Sequence, residues 1–368
     1  MRLSDIDFQL CDFLDSDRIF RLPSNLLNKV LRHLCSDGPL PLRHVLFVSK
    51  EFYHAAVNNT FLWTTISFDD EFYSHFRGRS VKQANSFTKQ CLLRSASLPL
   101  CLYIHGPDVD DGNILFNTLQ IFKNPKYRGF ERCTSLVWSN LLASTTQEIM
   151  ALLPKELPSL QYMSFSRYYF PANRSQFPNC PVLEDVKIYN SWGYCPPFWE
   201  TNFSHVTTFS FGTTHFWTAE RIATLSQFHW LHDLTLFTLG QGCAPYSTSA
   251  RPPTVFHYLR ILRVHGDVPP IVFTEFLVIG LEELHIKANS DGKTSITALW
   301  SSFDSCFRNL YASLPEAISS QEQEPEWATN LSKLAEKCTG LEALYISKWM
   351  EEECKNFVDG YNVVLYVL

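Results

Sequence analysis

The sequence predicts an α/β protein in which a short helical module precedes an irregular array of strand-and-helix repeats around a parallel sheet. Two patterns predict this fold. Near the amino terminus, apolar residues recur every three or four positions, as they do on one face of a helix. From residue 129 onward, an apolar frame of fixed internal spacing recurs along the chain. Of the 368 residues, 45% are hydrophobic and 18% charged, so a large core can form and disorder is excluded over most of the chain.

These patterns divide the chain into four segments. We expect an N-terminal extension at 1–18, a helical module at 19–68, a linker helix with a first strand at 69–128, and the repeat array at 129–368. Within the array, the polar and acidic stretch near 315–327 is predicted to form an exposed loop.

The helical module is predicted to contain short amphipathic helices. The first helix, Leu22–Leu34, begins where Pro23 suits a first-turn position. A second helix is predicted over Leu42–Val57, and an aromatic segment at 61–63 leads into a strand at 64–68. The apolar stripe of the first helix consists of Leu26, Leu27, Val30, Leu31 and Leu34.

Three small helices in about fifty residues bury too little surface to be stable alone. We therefore expect the apolar stripe to be covered either by a partner chain or by the rest of this protein, and the sequence leaves both alternatives open.

The repeat frame has the form apolar, two residues, apolar, one residue, apolar. The copies are Cys133/Leu136/Trp138, Leu160/Met163/Phe165, Leu183/Val186/Ile188, Val206/Phe209/Phe211, Leu231/Leu234/Leu236, Leu259/Leu262/Val264, Leu281/Leu284/Ile286 and Leu341/Leu344/Ile346. Their first members are 27, 23, 23, 25, 28, 22 and 60 residues apart. Leucine-rich repeats have periods of about 20–29 residues, so all gaps but the last fit, and the last leaves room for one degenerate repeat and a loop.

Each copy predicts a short strand whose three apolar residues point into the core, with one strand per repeat stacking into a parallel sheet. Segments between strands, such as Thr145–Leu153 and Thr218–Phe228, are predicted to form outer helices.

Residues between the inward positions of each strand should face the opposite, concave surface, because successive side chains alternate. Aromatic and charged residues of both signs occupy these positions, a mixture that suits the recognition of a protein or peptide. The candidate target-binding residues are Tyr162, Lys187, Tyr189, Asp233, Arg263, His265, Glu283, His285, Lys287 and Tyr345.

The segment Leu22 to Phe68 resembles an F-box, most closely the version found at the start of basidiomycete F-box proteins. The resemblance depends on Leu22-Pro23, Leu26-Leu27, Val30-Leu31, the run at 45–50 and Phe61-Leu62-Trp63 before a strand. Asn25, Lys29-Val30-Leu31 and Phe52 depart from the usual acidic residue, Ile-Phe type pair and Trp. The helix at 84–97 and the strand at 98–104 follow in the order of the same family.

This resemblance implies a partner and a function. F-box helices dock on the Skp-family linker subunit of a cullin-RING ubiquitin ligase, and the repeats then hold a target protein for ubiquitin transfer by other subunits. The residues that would dock on the linker subunit are Leu22, Pro23, Leu26, Leu27, Val30, Leu31, Leu46, Val48 and Phe52. The alternative is an interaction scaffold whose F-box-like helices only cap the repeat array.

Catalytic, metal-binding and cofactor motifs are not evident. The closest histidines, His229 and His232, lack an H-E-x-x-H frame, and the acidic run at 108–112 departs from the calcium-loop pattern of an EF-hand. The sequence therefore predicts a protein without enzymatic activity, cofactor or metal.

The net charge, the apolar stretches and the cysteines indicate which partners and which compartment to expect. A net charge of −6 argues against nucleic-acid binding, and no apolar stretch reaches the length of a membrane span. The 11 cysteines contain no C-x-x-C pair, so most are expected to be buried thiols in the reducing cytoplasm or nucleus.

Overall fold

The computed structural model describes residues 23–36, 38–77, 80–106, 112–166, 178–191, 205–213, 225, 228–238, 254–265, 276–278, 280–287, 309–313, 342–346 and 364–367. The predicted N-terminal extension, Leu22, the acidic loop and most of the predicted helix at 218–228 lie outside these residues. The protein is an α/β protein built on parallel strands.

Helices whose bounds are described all lie before residue 153. They are α1 (Ser24–Leu34), α2 (Leu42–Val45), α3 (Lys50–Asn58), α4 (Asp70–Phe76), α5 (Val81–Arg94), α6 (Gly112–Leu119) and α7 (Ala143–Leu152). Two 3₁₀ turns, Thr60–Trp63 and Gln120–Lys123, also lie among the described residues. Among the described residues, no helix combines the length and the apolarity that crossing a bilayer requires.

Strands extend from residue 65 to residue 367. They are β1 (Thr65–Phe68), β2 (Leu100–His105), β3 (Cys133–Ser139), β4 (Tyr162–Ser166), β5 (Asp185–Ser191), β6 (Thr208–Thr213), β7 (Asp233–Thr238), β8 (Thr254–Phe256), β9 (Ile261–His265), β10 (Phe276–Val278), β11 (Glu283–Lys287), β12 (Asn309–Ser313), β13 (Ala343–Ile346) and β14 (Val364–Val367).

The chain divides into two compact units. The first comprises Met1–Tyr162 with Phe177–Cys180, and the second comprises Met163–Gln176 with Pro181–Leu368.

In the first unit, β1, β2 and β3 pair in parallel with neighbouring strands in sequence order. Their inward side chains are buried, and helices supply the rest of the core. The first copy of the repeat frame is confirmed as an inward set, since Cys133, Leu136 and Trp138 are all buried.

The predicted second helix, Leu42–Val57, is wrong in one respect, because the structure breaks it into α2 and α3. The break lies at Ser49, whose backbone is extended and whose hydroxyl accepts a hydrogen bond from the Phe52 N–H at 3.3 Å. A serine in this conformation caps the helix that follows it, so the apolar periodicity across the break does not represent one continuous helix.

In the second unit, the strands follow one another across a sheet in the order β4-β5-β6-β7-β9-β11-β12-β13-β14. The pairs from β5 onward are parallel and place successive copies of the frame in register. For example, Val186, Phe209, Leu234, Leu262 and Leu284 occupy one row across the sheet.

The predicted inward positions are confirmed wherever their side chains are described. The buried members are Leu160, Met163, Phe165, Leu183, Val186, Ile188, Val206, Phe209, Phe211, Leu231, Leu234, Leu236, Leu259, Leu262, Val264, Leu281 and Leu284. A period-2 burial pattern that repeats on successive strands gives one apolar layer beneath the sheet.

The long gap between the last two copies contains the expected degenerate repeat. Strand β12 lies between β11 and β13, and its Leu310 is in register with Leu284 on one side and Leu344 on the other. Strand β14 and the small parallel pair β8–β10 were not predicted.

Candidate functional site

Helix α1 divides its apolar stripe between the interior and the surface. Leu27 and Leu31 are 5% and 0% exposed, whereas Leu26, Val30 and Leu34 are 43%, 41% and 40% exposed. The exposed three are spaced four residues apart and form one row, because residues four apart lie above one another on a helix. Of the predicted docking residues on α1, Leu27 and Leu31 therefore attach the helix to the protein's own core, whereas Leu26 and Val30 form an accessible row with Leu34.

Of the remaining predicted docking residues, Leu46, Val48 and Phe52 lie in or next to the turn between α2 and α3. Pro23 precedes α1 and is exposed, Val48 is exposed, and Leu46 and Phe52 are partly buried. The structure adds two exposed aromatic side chains that the sequence prediction omitted, Phe47 and Phe61.

The second unit carries most of the predicted target-binding residues on one face of its sheet. Strand alternation places them opposite the buried frame, as predicted, and the register arranges them in rows that cross the strands. The row at the first strand position contains the acidic residues Asp185, Asp233 and Glu283, and the row two positions later contains the bases Lys187, Arg263 and His285.

These two rows are joined by polar side-chain contacts, and the one that involves His285 is an ion pair only when its ring is protonated. The Lys187 Nζ lies 3.5 Å from the Asp185 carboxylate, and the His285 Nε2 lies 3.0 Å from the Glu283 carboxylate. The Arg263 guanidinium contacts both carboxylate oxygens of Asp233 on the neighbouring strand. The face therefore presents charge of both signs in a fixed pattern.

Burial shifts the pKa values of two of these side chains. Burial raises the pKa of the Asp185 carboxyl above its usual value, and the nearby Lys187 ammonium only partly opposes this. One carboxylate oxygen of Asp185, Oδ1, is buried without a hydrogen-bond partner. Burial also lowers the pKa of His285, and the Arg263 charge acts in the same direction while Glu283 opposes it.

A third row is aromatic. Tyr189 packs edge to face on Phe237 with ring centroids 5.3 Å apart, and Phe237 lies 4.6 Å from the His265 ring. On the same face, the small side chains of Ser210 on β6 and Thr235 on β7 are buried next to each other. The aromatic row therefore borders a strip of small polar side chains.

Other predicted residues lie apart from this cluster. Tyr162 belongs to the first unit and is partly buried, and Tyr345 stacks on Tyr366 of β14 at 4.6 Å. The backbone of Lys287 is in register with His265, but its side chain lies outside the described residues.

Sequence reasoning missed Asp185, Phe237 and the glycine at 212, although the alternation rule that selected Lys187 and Asp233 also selects them. In the part of the chain that the structure describes, no group of three or more His, Cys, Asp or Glu is arranged to hold an ion.

No protein-family model matches the chain, and no curated protein matches it either.

Proposed function

We propose that this protein is a non-catalytic substrate-recognition subunit of a Skp/cullin/F-box ubiquitin ligase, acting in the cytoplasm or nucleus. Its α1–α3 module would dock on the Skp-family linker subunit, and the polar face of a leucine-rich-repeat sheet would hold the target protein. The observation that carries the proposal is the exposed row of Leu26, Val30 and Leu34, which is unusual on the surface of a protein that needs no partner there.

The charges on α1 support a specific kind of docking surface. The helix carries Lys29, Arg32 and His33 as exposed bases and has no acidic residue. A partner groove with apolar walls and an acidic rim would complement both features, since charge complementarity guides and orients protein association.

The repeat sheet supports target binding. Its outward face combines tyrosine, arginine, histidine and carboxylate groups in register, and such residues contribute strongly to protein recognition. In the proposed role, binding a target there raises the effective concentration of its lysines near the loaded ubiquitin-transfer enzyme.

A second function is favoured by the burial of Leu27 and Leu31. Because these residues attach α1 to the protein's own core, the helices could serve only as a cap, and the protein would then be an interaction scaffold without a linker subunit.

Co-expression with a Skp-family subunit separates the two functions. We expect a stable complex with the wild type, and loss of the complex in the double variant Leu26→Asp/Val30→Asp, since two carboxylates would replace apolar contacts. Leu93→Asp on α5 is the matched control, because Leu93 is equally exposed but belongs to another helix. Urea unfolding must show that all three proteins remain folded.

If the wild type does not bind the subunit at micromolar concentration, the ligase proposal is wrong and the scaffold function remains. If Leu93→Asp abolishes binding as strongly as the double variant does, α1 is not the docking surface.

A further inference from the structure

We propose that Ser139 is a nucleophile activated by His105, in a cavity of the first unit that is distinct from both surfaces described above. The cavity has a volume of about 320 Å³ and lies at the carboxyl ends of β1, β2 and β3. In sheets of parallel strands, this end is where ligands commonly bind. Its walls are formed by Ser67, Tyr103, Val137 and three carboxylate side chains in addition to His105 and Ser139.

The serine and the histidine are within hydrogen-bond distance. The Ser139 Oγ lies 2.8 Å from the His105 Nδ1, and each residue is the last of its strand. A hydroxyl at this distance from a neutral imidazole can transfer its proton as it attacks an electrophile, which is the arrangement found in activated serine nucleophiles. Both side chains are partly accessible from the cavity.

The backbone holds this pair in place. The Gly106 N–H donates to the Ser139 carbonyl at 2.7 Å, and a Cβ at Gly106 would lie 1.8 Å from the Asn140 carbonyl oxygen. Only glycine allows the two chain segments to approach this closely. The Tyr73 hydroxyl donates to the His105 carbonyl at 3.1 Å, so the histidine is anchored from the opposite side by α4.

Three carboxylates define the electrostatics of the cavity. The Asp70 Oδ1 lies 4.0 Å from the His105 Nε2, and Glu71 is exposed beside it. Asp69 is engaged structurally, because it accepts hydrogen bonds from the Ser67 hydroxyl at 2.6 Å and from the Phe72 N–H at 2.9 Å. Asp70 is placed to stabilise the positive charge that forms on His105 when it takes the serine proton.

The reaction that fits these groups is acyl transfer from an ester. The Ser139 Oγ forms a bond to the ester carbonyl carbon while its proton passes to the His105 Nδ1. The tetrahedral intermediate then expels the alcohol, which takes the proton from His105 and leaves an acyl group on Ser139. Water can afterwards attack the acyl group with His105 again acting as base, releasing the acid and restoring the serine.

The carboxylates also limit the substrate class. They repel anionic groups and attract cationic ones, so we expect a small ester whose acyl group is neutral or cationic. The receptor function proposed above requires no catalysis by this chain, and the activity proposed here would be additional to it. It uses neither α1 nor the face of the second unit, so each proposal can fail without affecting the other.

The test treats the full-length protein with p-nitrophenyl acetate and follows p-nitrophenolate release together with the acetyl adduct by peptide mass spectrometry. We expect an adduct on Ser139 that is absent in Ser139→Ala and that forms about 100-fold more slowly in His105→Gln, since general-base catalysis contributes about 10²–10⁴-fold. Ser67→Ala is the matched control: Ser67 lines the same cavity but bonds to Asp69 rather than to an imidazole, so this variant should acetylate normally.

Asp70→Asn provides a variant that should not threaten folding, because the Asp70 side chain is 87% exposed. We expect about threefold slower acetylation, as befits an exposed charge near the base. A nitrophenyl ester with an anionic glutaryl group should react more slowly than the acetate. The proposal is overturned if no adduct forms on Ser139, or if the adduct forms at the wild-type rate in His105→Gln.

Discussion

Tyr189 on β5 and Phe237 on β7 pack edge to face although β6 lies between their strands. The contact is possible because the residue of β6 between them is Gly212. A Cβ built there would lie 3.3 Å from the Phe237 Cβ and 3.5 Å from the Tyr189 Cδ1. Edge-to-face aromatic pairs of this kind contribute about 0.5–1.5 kcal/mol beyond the area they bury.

Replacing Gly212 with valine should break this contact. We expect Gly212→Val to lower the free energy of unfolding by about 1–3 kcal/mol, because the added methyl groups overpack the space between the two rings. Tyr189→Ala in the same chain should recover part of the loss, giving a coupling energy of at least about 0.5 kcal/mol in a double-mutant cycle. Urea unfolding of the four proteins measures it, and strictly additive effects would contradict the contact.

The two leucines at the start of α1 should differ sharply in their contribution to stability. Leu27→Asp places a carboxylate in the core and should cost about 3 kcal/mol or more in free energy of unfolding. Leu26→Asp should stay within about 0.5 kcal/mol of the wild type, because the side chain is exposed and an acidic residue in the first turn of a helix is favourable. Equal losses in urea unfolding would show that α1 is not oriented as described.

Much of the repeat sheet could be predicted from the sequence because its signal is local. Each copy of the frame predicts one strand and its inward residues, and the alternation of side chains then predicts which residues lie on the opposite face. The prediction failed where that frame was incomplete. Strand β14 has Leu365 and Val367, but the first frame position is Asn362, so the segment carried only part of the signal.

The contact on which the proposed chemistry depends could not be predicted from local sequence patterns. Ser139 and His105 are 34 residues apart and meet only because β2 and β3 pair in one particular register, with His105 opposite Ser139. The break at Ser49 was not predicted because the apolar spacing continues across it. A single hydroxyl decides which backbone conformation is favoured there.

Arg132 should be a principal stabilising residue of the first unit. Its guanidinium donates to the Ser95 hydroxyl at 2.7 Å and to the carbonyls of Leu98, Tyr127 and Leu92 at 3.0, 3.3 and 3.4 Å. Arg132→Ala should cost about 2–4 kcal/mol in free energy of unfolding, because four hydrogen bonds to partly buried acceptors are lost.

Lysine should rescue Arg132 only in part, because an ammonium cannot reproduce the planar set of donors. The nearby Arg128→Ala is the control. Arg128 pairs with Glu131 on the surface, where such pairs contribute about 0–1 kcal/mol, so its loss should be small in thermal or urea unfolding. A large loss for Arg128 and a small one for Arg132 would reverse this assignment.

His285 should make the protein less stable in mild acid. Because burial lowers the pKa of His285 in the folded protein, the unfolded chain binds its proton first as the pH falls below about 6.5. The stability that the neutral ring provides is present above that value and is lost as the pH falls through the lower folded pKa. Relative to His285→Gln, the wild type should therefore lose free energy of unfolding as the pH falls from about 8 to about 5. A difference that does not change with pH would contradict the burial of this ring.

The contribution of Asp185 to the free energy of unfolding should depend on pH in the opposite direction. Burial raises the pKa of this carboxyl in the folded state above the ordinary value of 3.8, so the folded protein holds the proton more tightly than the unfolded chain does. Stability from this group is present below the unfolded pKa and is lost as the pH rises through the folded pKa. Asp185→Asn should then be more stable than the wild type at about pH 7 and about equal to it at about pH 3, when both side chains are neutral.

The control for Asp185 is Asp233→Asn, in the same row of the sheet. Asp233 contacts the Arg263 guanidinium, so removing its charge leaves a partly buried cation without its partner and should destabilise the protein at neutral pH. Guanidinium unfolding would be unsuitable because the salt screens these charges, so both variants should be measured in urea. If Asp185→Asn and Asp233→Asn shift stability in the same direction at neutral pH, the buried Oδ1 of Asp185 does not carry the unfavourable charge inferred for it.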